Sequence, residues 1–454
     1  ADQVLQSGPV AVQLYSLLNE NDRWPEAGEA LNRYVELSPL LEAPLHKWVA
    51  SQRARVAFHL GKRAEALGFL RGLDDEFHKN FSKNLEAAPA SSDRVQLEVS
   101  FVRQHFKTCA PATLAALGRY WKMPLEHLKL AEAMCYDGTP SWQQRDWAER
   151  NGWLVRDFRV THESVETLIS AGIPFAISTV EATSAHMQAV VGFDKVRGTI
   201  LLRDPGQPYV VEVYANAFFK YHRAFGPHGT VFLPEQERSR LDGITLPDAD
   251  IYDQFHRFNV CLSRHDRAGA NAILEAMVAA YDGHALVWET RLFLAGYDAN
   301  VSEQMRCLDK LLEIFPDNAN RLLRKLGCLQ QVSRAERLEF LQRTCASKET
   351  DPVLFIELAR ILGEDARRMD EAKHWIKRAL RFRPFDSNAF TVQADLLWNE
   401  GALDEATEIY RFAASLEGYR EHLYQSWFSA CRRTRRTEEA MALLNDRFKR
   451  FGSR

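Results

Sequence analysis

The feature that most narrows the folds open to this 454-residue chain is a spacing near its C-terminus. The triplets Asp370-Glu371-Ala372, Asp404-Glu405-Ala406 and Glu438-Glu439-Ala440 recur at intervals of 34 residues. The same step back from Ala372 lands on Leu338, Gln304 and Ala270, each inside an amphipathic segment. Pro316 and Pro384 each follow a member of this series by twelve residues. A small residue in fixed phase lets two helices approach closely, and a proline ends the second of them. Residues 245–454 are therefore expected to form an all-α solenoid of about five or six helix pairs.

The N-terminal stretch, residues 1–86, carries a looser version of the pattern. Ala27, Leu31, Tyr34 and Pro39 repeat the order alanine, aliphatic, aromatic, proline, and a similar helix follows around Ala66. Both helical regions resemble tetratricopeptide repeats.

Between them the chemistry changes. Residues 87–93, Ala-Ala-Pro-Ala-Ser-Ser-Asp, have the composition of a linker. Residues 94–102 alternate apolar and polar and are expected to form a strand. The run Gln104-His-Phe-Lys-Thr108-Cys109-Ala-Pro111-Ala-Thr-Leu then places a cysteine where a loop becomes an apolar helix. Thr108 is suited to the N-cap and Pro111 to the first turn. A thiolate at a helix start is favoured by the helix dipole, and the thiolate is the reactive form.

Further on, Ala185-His186-Met-Gln-Ala-Val-Val-Gly-Phe-Asp194 puts a histidine at the mouth of a strand. Residues 198–204 form a short apolar strand that ends in Asp204, before Pro205-Gly206. Two neighbouring antiparallel strands of this kind can bring His186 and Asp204 side by side. Asp194 competes for the role of orienter, but eight residues along the same strand is roughly 25 Å from His186.

Taken together, Gln-x(4)-Cys-Ala-Pro-Ala-Thr-Leu, Ala-His-x(4)-Val-Gly-Phe-Asp and Asp-Pro-Gly resemble the C39 peptidase family. These are papain-like cysteine proteases, best known for cutting leader peptides from bacteriocin precursors. The glutamine stands five residues before the cysteine, and alanine follows the cysteine where many members have glycine. The resemblance implies Cys109 as nucleophile, His186 as general base, Asp204 as its orienter and Gln104 as side-chain donor to the oxyanion. It also implies an α+β papain-like cysteine peptidase domain, placed at residues 93–236 and flanked by all-α, tetratricopeptide-like regions.

Composition adds bounds. The net charge of −3 gives no bulk attraction to nucleic acid or to an acidic membrane surface. No apolar run approaches the roughly 18 residues of a membrane span, and no signal peptide is visible. The seven cysteines, at 109, 135, 261, 307, 328, 345 and 431, are odd in number and lack a Cys-x-x-Cys motif. That pattern points to free thiols in a reducing compartment, hence to the cytoplasm.

Other candidates have plainer readings. His222 and His228 lack further partners for a metal site. Cys135 has no base nearby and is expected in the core. The basic run at 432–436 is expected to be a solvated loop between repeat helices, and Trp142, Trp147 and Trp153 to be packing residues. The expected protein is a cysteine peptidase acting on a peptide or protein substrate through a thioester acyl-enzyme, without cofactor or metal. Its repeats are expected to recruit substrate or a protein partner on their concave face. An amidase or acyltransferase using the same residues, or a non-catalytic binding scaffold, are the alternatives.

Overall fold

The computed structural model of the protein describes residues 7–87 and 94–452. The chain divides into two compact units. The first runs to Val180 and resumes over Ser184–Asp282; the second holds Glu181–Thr183 and continues from Gly283. Residues 88–93 of the expected linker lie outside the described residues.

The first unit opens with α1 (Gly8–Glu20), α2 (Trp24–Leu37), α3 (Ala43–His59), α4 (Arg63–Leu70) and α5 (Glu76–Ala87). Ala27 of α2 and Ala66 of α4 are fully buried, as small residues between close helices must be. A seven-stranded sheet follows, built from β1 (Arg94–Gln96), β2 (Trp153–Arg159), β3 (Phe175–Val180), β4 (Ala185–Asp194), β5 (Thr199–Arg203), β6 (Val210–Tyr214) and β7 (His228–Pro234). Its order is β2-β7-β3-β4-β5-β6, antiparallel throughout, with β1 also paired to β4. Helices α6 (Cys109–Tyr120), α7 (His127–Met134) and α8 (Ser141–Arg150) cover one face, and α9 (His162–Ser170) packs on the other. α10 (Ala215–His222) follows β6, and α11 (Ala249–Ser263) and α12 (Arg267–Ala280) complete the unit. Helices ahead of a sheet of late antiparallel strands give the α+β architecture read from the sequence.

The strand expected over 94–102 is shorter. Only Arg94–Gln96 pairs in register with β4, and the Leu97 N–H reaches one further carbonyl, that of Val191. Beyond it the Arg203 guanidinium donates to the Val99 carbonyl, so a side chain replaces the ladder there. Alternation reports which side chains turn inward (here Val95, Leu97 and Val99, between the exposed Gln96, Glu98 and Ser100), not whether a partner strand exists.

Two buried charge clusters tie the periphery to the sheet. Glu212 on β6 accepts from Arg55 of α3 at 3.0 Å, from Arg197 at 2.5 Å and from the Thr199 hydroxyl at 2.6 Å. Burial alone would raise its pKa; the Arg197 and Arg55 guanidiniums overturn this and hold it down to about 2. On the far side, Arg145 of α8 bonds Asp157 of β2 at 2.9 Å and Asp253 of α11 at 2.8 Å. Asp157 also takes His228 at 2.9 Å and the Thr230 hydroxyl at 2.7 Å. His222 is buried beside Phe218.

In the second unit the helices are α13 (Ala285–Tyr297), α14 (Val301–Ile314), α15 (Ala319–Val332), α16 (Arg334–Cys345), α17 (Pro352–Leu362), α18 (Met369–Phe382), α19 (Ser387–Asn399), α20 (Leu403–Leu416), α21 (Glu421–Arg433) and α22 (Thr437–Phe451). The phase residues Ala372, Ala406 and Ala440 are all buried near the starts of α18, α20 and α22. Pro316 and Pro384 lie just past the ends of α14 and α18. Part of the basic run is structural: Arg436 bonds Asp404 at 2.7 Å and Glu408 at 2.6 Å, joining the start of α22 to α20. Among the described residues no helix is long and apolar enough to cross a membrane.

Gly192 of the sheet has no room for a side chain against the neighbouring backbone. A Cβ on Gly192, at the bulge where β1, β4 and β5 meet, would stand 2.3 Å from the Val95 carbonyl oxygen and 2.7 Å from Leu201 Cδ1. Gly192→Ala is expected to destabilise the sheet by about 1–3 kcal/mol, because backbone must move to admit the methyl. Urea unfolding followed by tryptophan fluorescence measures the loss.

Candidate active site

α6 is built from small residues for a packing reason. Residues Ala110 through Gly118 are all buried, so the helix lies close against β4 with little side chain between. Its first residue, Cys109, is half-buried and remains reachable. Thr108 occupies the N-cap position but makes no cap bond, contrary to the sequence expectation. Its hydroxyl is turned back on the preceding loop: it donates to the His105 carbonyl, accepts from the His105 N–H at 2.9 Å, and meets His127 Nε2 at 2.9 Å. Thr108 therefore shapes the loop carrying Gln104 rather than the helix end. Ser141 likewise begins α8 without a cap bond, with Pro140 in the cap position.

His186 lies at the start of β4, with its imidazole beside the Cys109 thiol. Its Nε2 is 3.0 Å from Asp204 Oδ2, just past the end of β5. Asp204 Oδ1 accepts the Gly206 N–H at 2.6 Å, so the Asp-Pro-Gly turn grips the carboxylate while the other oxygen faces the imidazole. The Gln104 N–H donates to the Pro205 carbonyl at 2.9 Å, tying the glutamine loop to the same turn. A Cβ on Gly206 would stand 3.1 Å from Asp204 Oδ1 and 3.3 Å from Gln104 Nε2, so the turn passes close between the two side chains. Cys109, His186 and Asp204 thus come together, with Gln104 held beside them.

Asp194 is elsewhere, as the strand geometry requires. It is buried at the far end of β4, accepts the Arg197 N–H at 3.0 Å and faces Arg94. Cys135 departs from its expected core position: it is half-exposed, and its thiol donates to the Lys107 carbonyl at 3.2 Å. Trp153 is buried, and Trp147 packs on the same cluster.

The electrostatics favour a charge-separated pair. Burial pushes the Cys109 thiol up, but the hydrogen bond from His186, the Met187 and Ala110 N–H groups and the imidazolium charge together bring it below its usual value. Burial pulls His186 down, and its bonds to Asp204 and Cys109 reverse this, raising it to about 9. Asp204, which burial would raise, is lowered by His186 and the Gly206 N–H. The buried thiols of the second unit go the other way: burial pushes Cys307 and Cys345 up to about 12 and Cys431 to about 11. A thiolate beside an imidazolium, next to helix-start N–H groups, is a nucleophile with its proton donor already in place.

Two residues of the site were not singled out in the sequence. Thr113 is the one polar residue in the buried run of α6, and its hydroxyl donates to the Met187 carbonyl at 3.1 Å. Gln144 of α8 donates to the Ala110 carbonyl at 3.3 Å. For Thr113 the signal was available: a hydroxyl one turn after the cysteine, on an otherwise apolar face.

Residues 96–229 match the model of the Peptidase_C39 like family. Among solved structures, the chain is similar to the peptidase domain of Streptococcus ComA, described as a bi-functional ABC transporter involved in a quorum sensing pathway. The identity is 18%, over 30% of this chain and 99% of that one, with a TM-score of 0.26. It is also similar to PilW, a type IV pilus biogenesis factor (15% identity, 45% of this chain, 94% of that one, TM-score 0.36). A tetratricopeptide repeat protein from Parabacteroides merdae matches at 13% identity over 44% of this chain and 78% of that one, with a TM-score of 0.36. No curated protein matches the sequence. Residues 96–229 thus match a C39-like family model, in one polypeptide with paired helices before and after the sheet.

Proposed function

We propose that the protein is a cysteine peptidase in which Cys109 attacks a peptide carbonyl. The observation that carries this reading is the Cys109–His186–Asp204 chain, with the thiol lowered and the imidazole raised at one half-buried site. The Cys109 sulfur adds to the carbonyl carbon, and the oxyanion takes hydrogen bonds from the Cys109 N–H and the Gln104 side chain. His186 gives its proton to the leaving amine, leaving a thioester on Cys109. It then takes a proton from water, whose oxygen attacks the thioester and releases the acid. Asp204 holds the imidazole in the tautomer that presents its other nitrogen to sulfur. An amine in place of water would make the same thioester a transfer intermediate. The repeats supply an extended surface for the protein substrate or a partner. On this reading the peptidase domain covers residues 93–236, between repeat regions at 1–86 and 245–454, and works in a reducing compartment such as the cytoplasm.

The test is a mixed peptide library incubated with the full chain and read by mass spectrometry after an acid quench. Cleavage, with a Cys109 peptide carrying the acyl mass, is expected for the wild type. Cys109→Ala is expected to lower the rate by at least about 10⁴-fold, and Asp204→Asn by about 10- to 1,000-fold. Cleavage that survives Cys109→Ala would place the activity elsewhere.

The rate is also expected to be bell-shaped in pH. It should rise as Cys109 loses its proton, at a pH below the ordinary thiol value of about 8.5. It should fall as His186 loses its proton near about pH 9, since the leaving amine then lacks its acid. A single rise centred on the free-thiol value would show that the ion pair does not form.

A further inference from the structure

The edge of β4 next to His186 has a gap that a helix fills. The Thr179 hydroxyl donates to the His186 carbonyl, so that residue's peptide groups face β3. Strand alternation then turns the N–H and C=O of Met187 to the opposite edge, toward β5. There the ladder with β5 reaches only as far as Ala189, opposite Arg203. Met187 is buried, so its two backbone groups require partners other than a strand.

For the carbonyl that partner comes from α6: the Thr113 hydroxyl donates to the Met187 carbonyl at 3.1 Å. Cys109 and Thr113 are four residues apart, hence neighbours on one helix face about 5–6 Å apart. The bond therefore ties the helix face that carries Cys109 to the strand residue that follows His186.

We propose that Thr113 is a positioning residue for the nucleophile, acting through the Met187 backbone. By fixing the carbonyl, it sets the register between α6 and the strand that bears His186, and so the placing of the Cys109 sulfur against the imidazole. This rests on the peptidase reading, since it assigns Thr113 a part in holding the thiolate. The charged group facing the sulfur is His186 of β4, with Asp204 behind it past β5. From α8 the uncharged Gln144 amide bonds the Ala110 carbonyl, and His127 of α7 is engaged by the Thr108 hydroxyl.

The test uses the full chain and four variants: Thr113→Val, which keeps the shape and removes the hydroxyl, Thr113→Ala, Thr113→Ser and His186→Ala. Each cysteine's alkylation by iodoacetamide is followed across pH by mass spectrometry, and folding is checked by circular dichroism. In Thr113→Val the pH midpoint for Cys109 is expected to rise by about one unit, an approximately tenfold loss of rate near pH 6. Thr113→Ser is expected to restore the wild-type profile within about twofold. A merely structural Thr113 would lower the unfolding midpoint and leave the pH profile alone. Should Thr113→Val not fold, Thr113→Ala against Thr113→Ser makes the same comparison. A folded hydroxyl-less variant with the wild-type profile overturns the Thr113 role while the peptidase reading stands, provided His186→Ala slows Cys109. Wild-type Cys109 reacting no faster than the other six thiols overturns both.

Discussion

The site depends on one close contact, that of α6 with β4. Cys109 can meet His186 only if the helix lies nearly on the strand, and that requires a helix face with almost no side-chain bulk. The buried run from Ala110 to Gly118 supplies it. Bulk on this face would do more than strain the core. It would move the sulfur away from the imidazole, and with it the partner that lowers one pKa and raises the other. Packing and electrostatics are here the same constraint: a thiolate–imidazolium pair can form only at the distance that small residues permit.

The rest of the first unit holds that contact in register. The Asp204 turn grips the carboxylate through Gly206 and the glutamine loop through Pro205, so a few residues fix both the Asp204 carboxylate facing His186 and the loop that carries Gln104. The buried clusters around Glu212 and Arg145 act farther out. Each satisfies its charges with guanidinium or imidazole partners and joins surrounding helices to the sheet. Such clusters add little net stability relative to apolar packing, but losing one member leaves a buried charge without a counterion, at about 3–5 kcal/mol.

Much of this was legible in the sequence because it rests on local rules. The 34-residue phase read the last three repeats directly, since the close approach of helices admits only small residues at Ala372, Ala406 and Ala440. The cysteine at a helix start, the histidine at a strand mouth and the aspartate before Pro-Gly were legible for the same reason. What was not legible depended on tertiary neighbours. Thr108 has the chemistry of a cap, but His105 and His127 compete for its hydroxyl and win it. Residues 97–102 alternate like a strand, yet the carbonyl at Val99 is taken by Arg203. Cys135 reads as a core residue by type, and the loop around Lys107 leaves it half-exposed. Thr113 was visible as an odd hydroxyl, but its partner is a backbone carbonyl 74 residues away, which no local pattern encodes.

The central claim is that Cys109 and His186 form a thiolate–imidazolium pair in the resting protein. The most direct measurement is the ultraviolet thiolate absorbance of the full chain against pH, taken as the difference between wild type and Cys109→Ser and repeated in the His186→Ala background. The account predicts that Cys109 ionises well below the free-thiol value of about 8.5 in the wild type, and moves up toward that value when His186 is removed. A Cys109 that ionises at or above the free-thiol value, with or without His186, would contradict it.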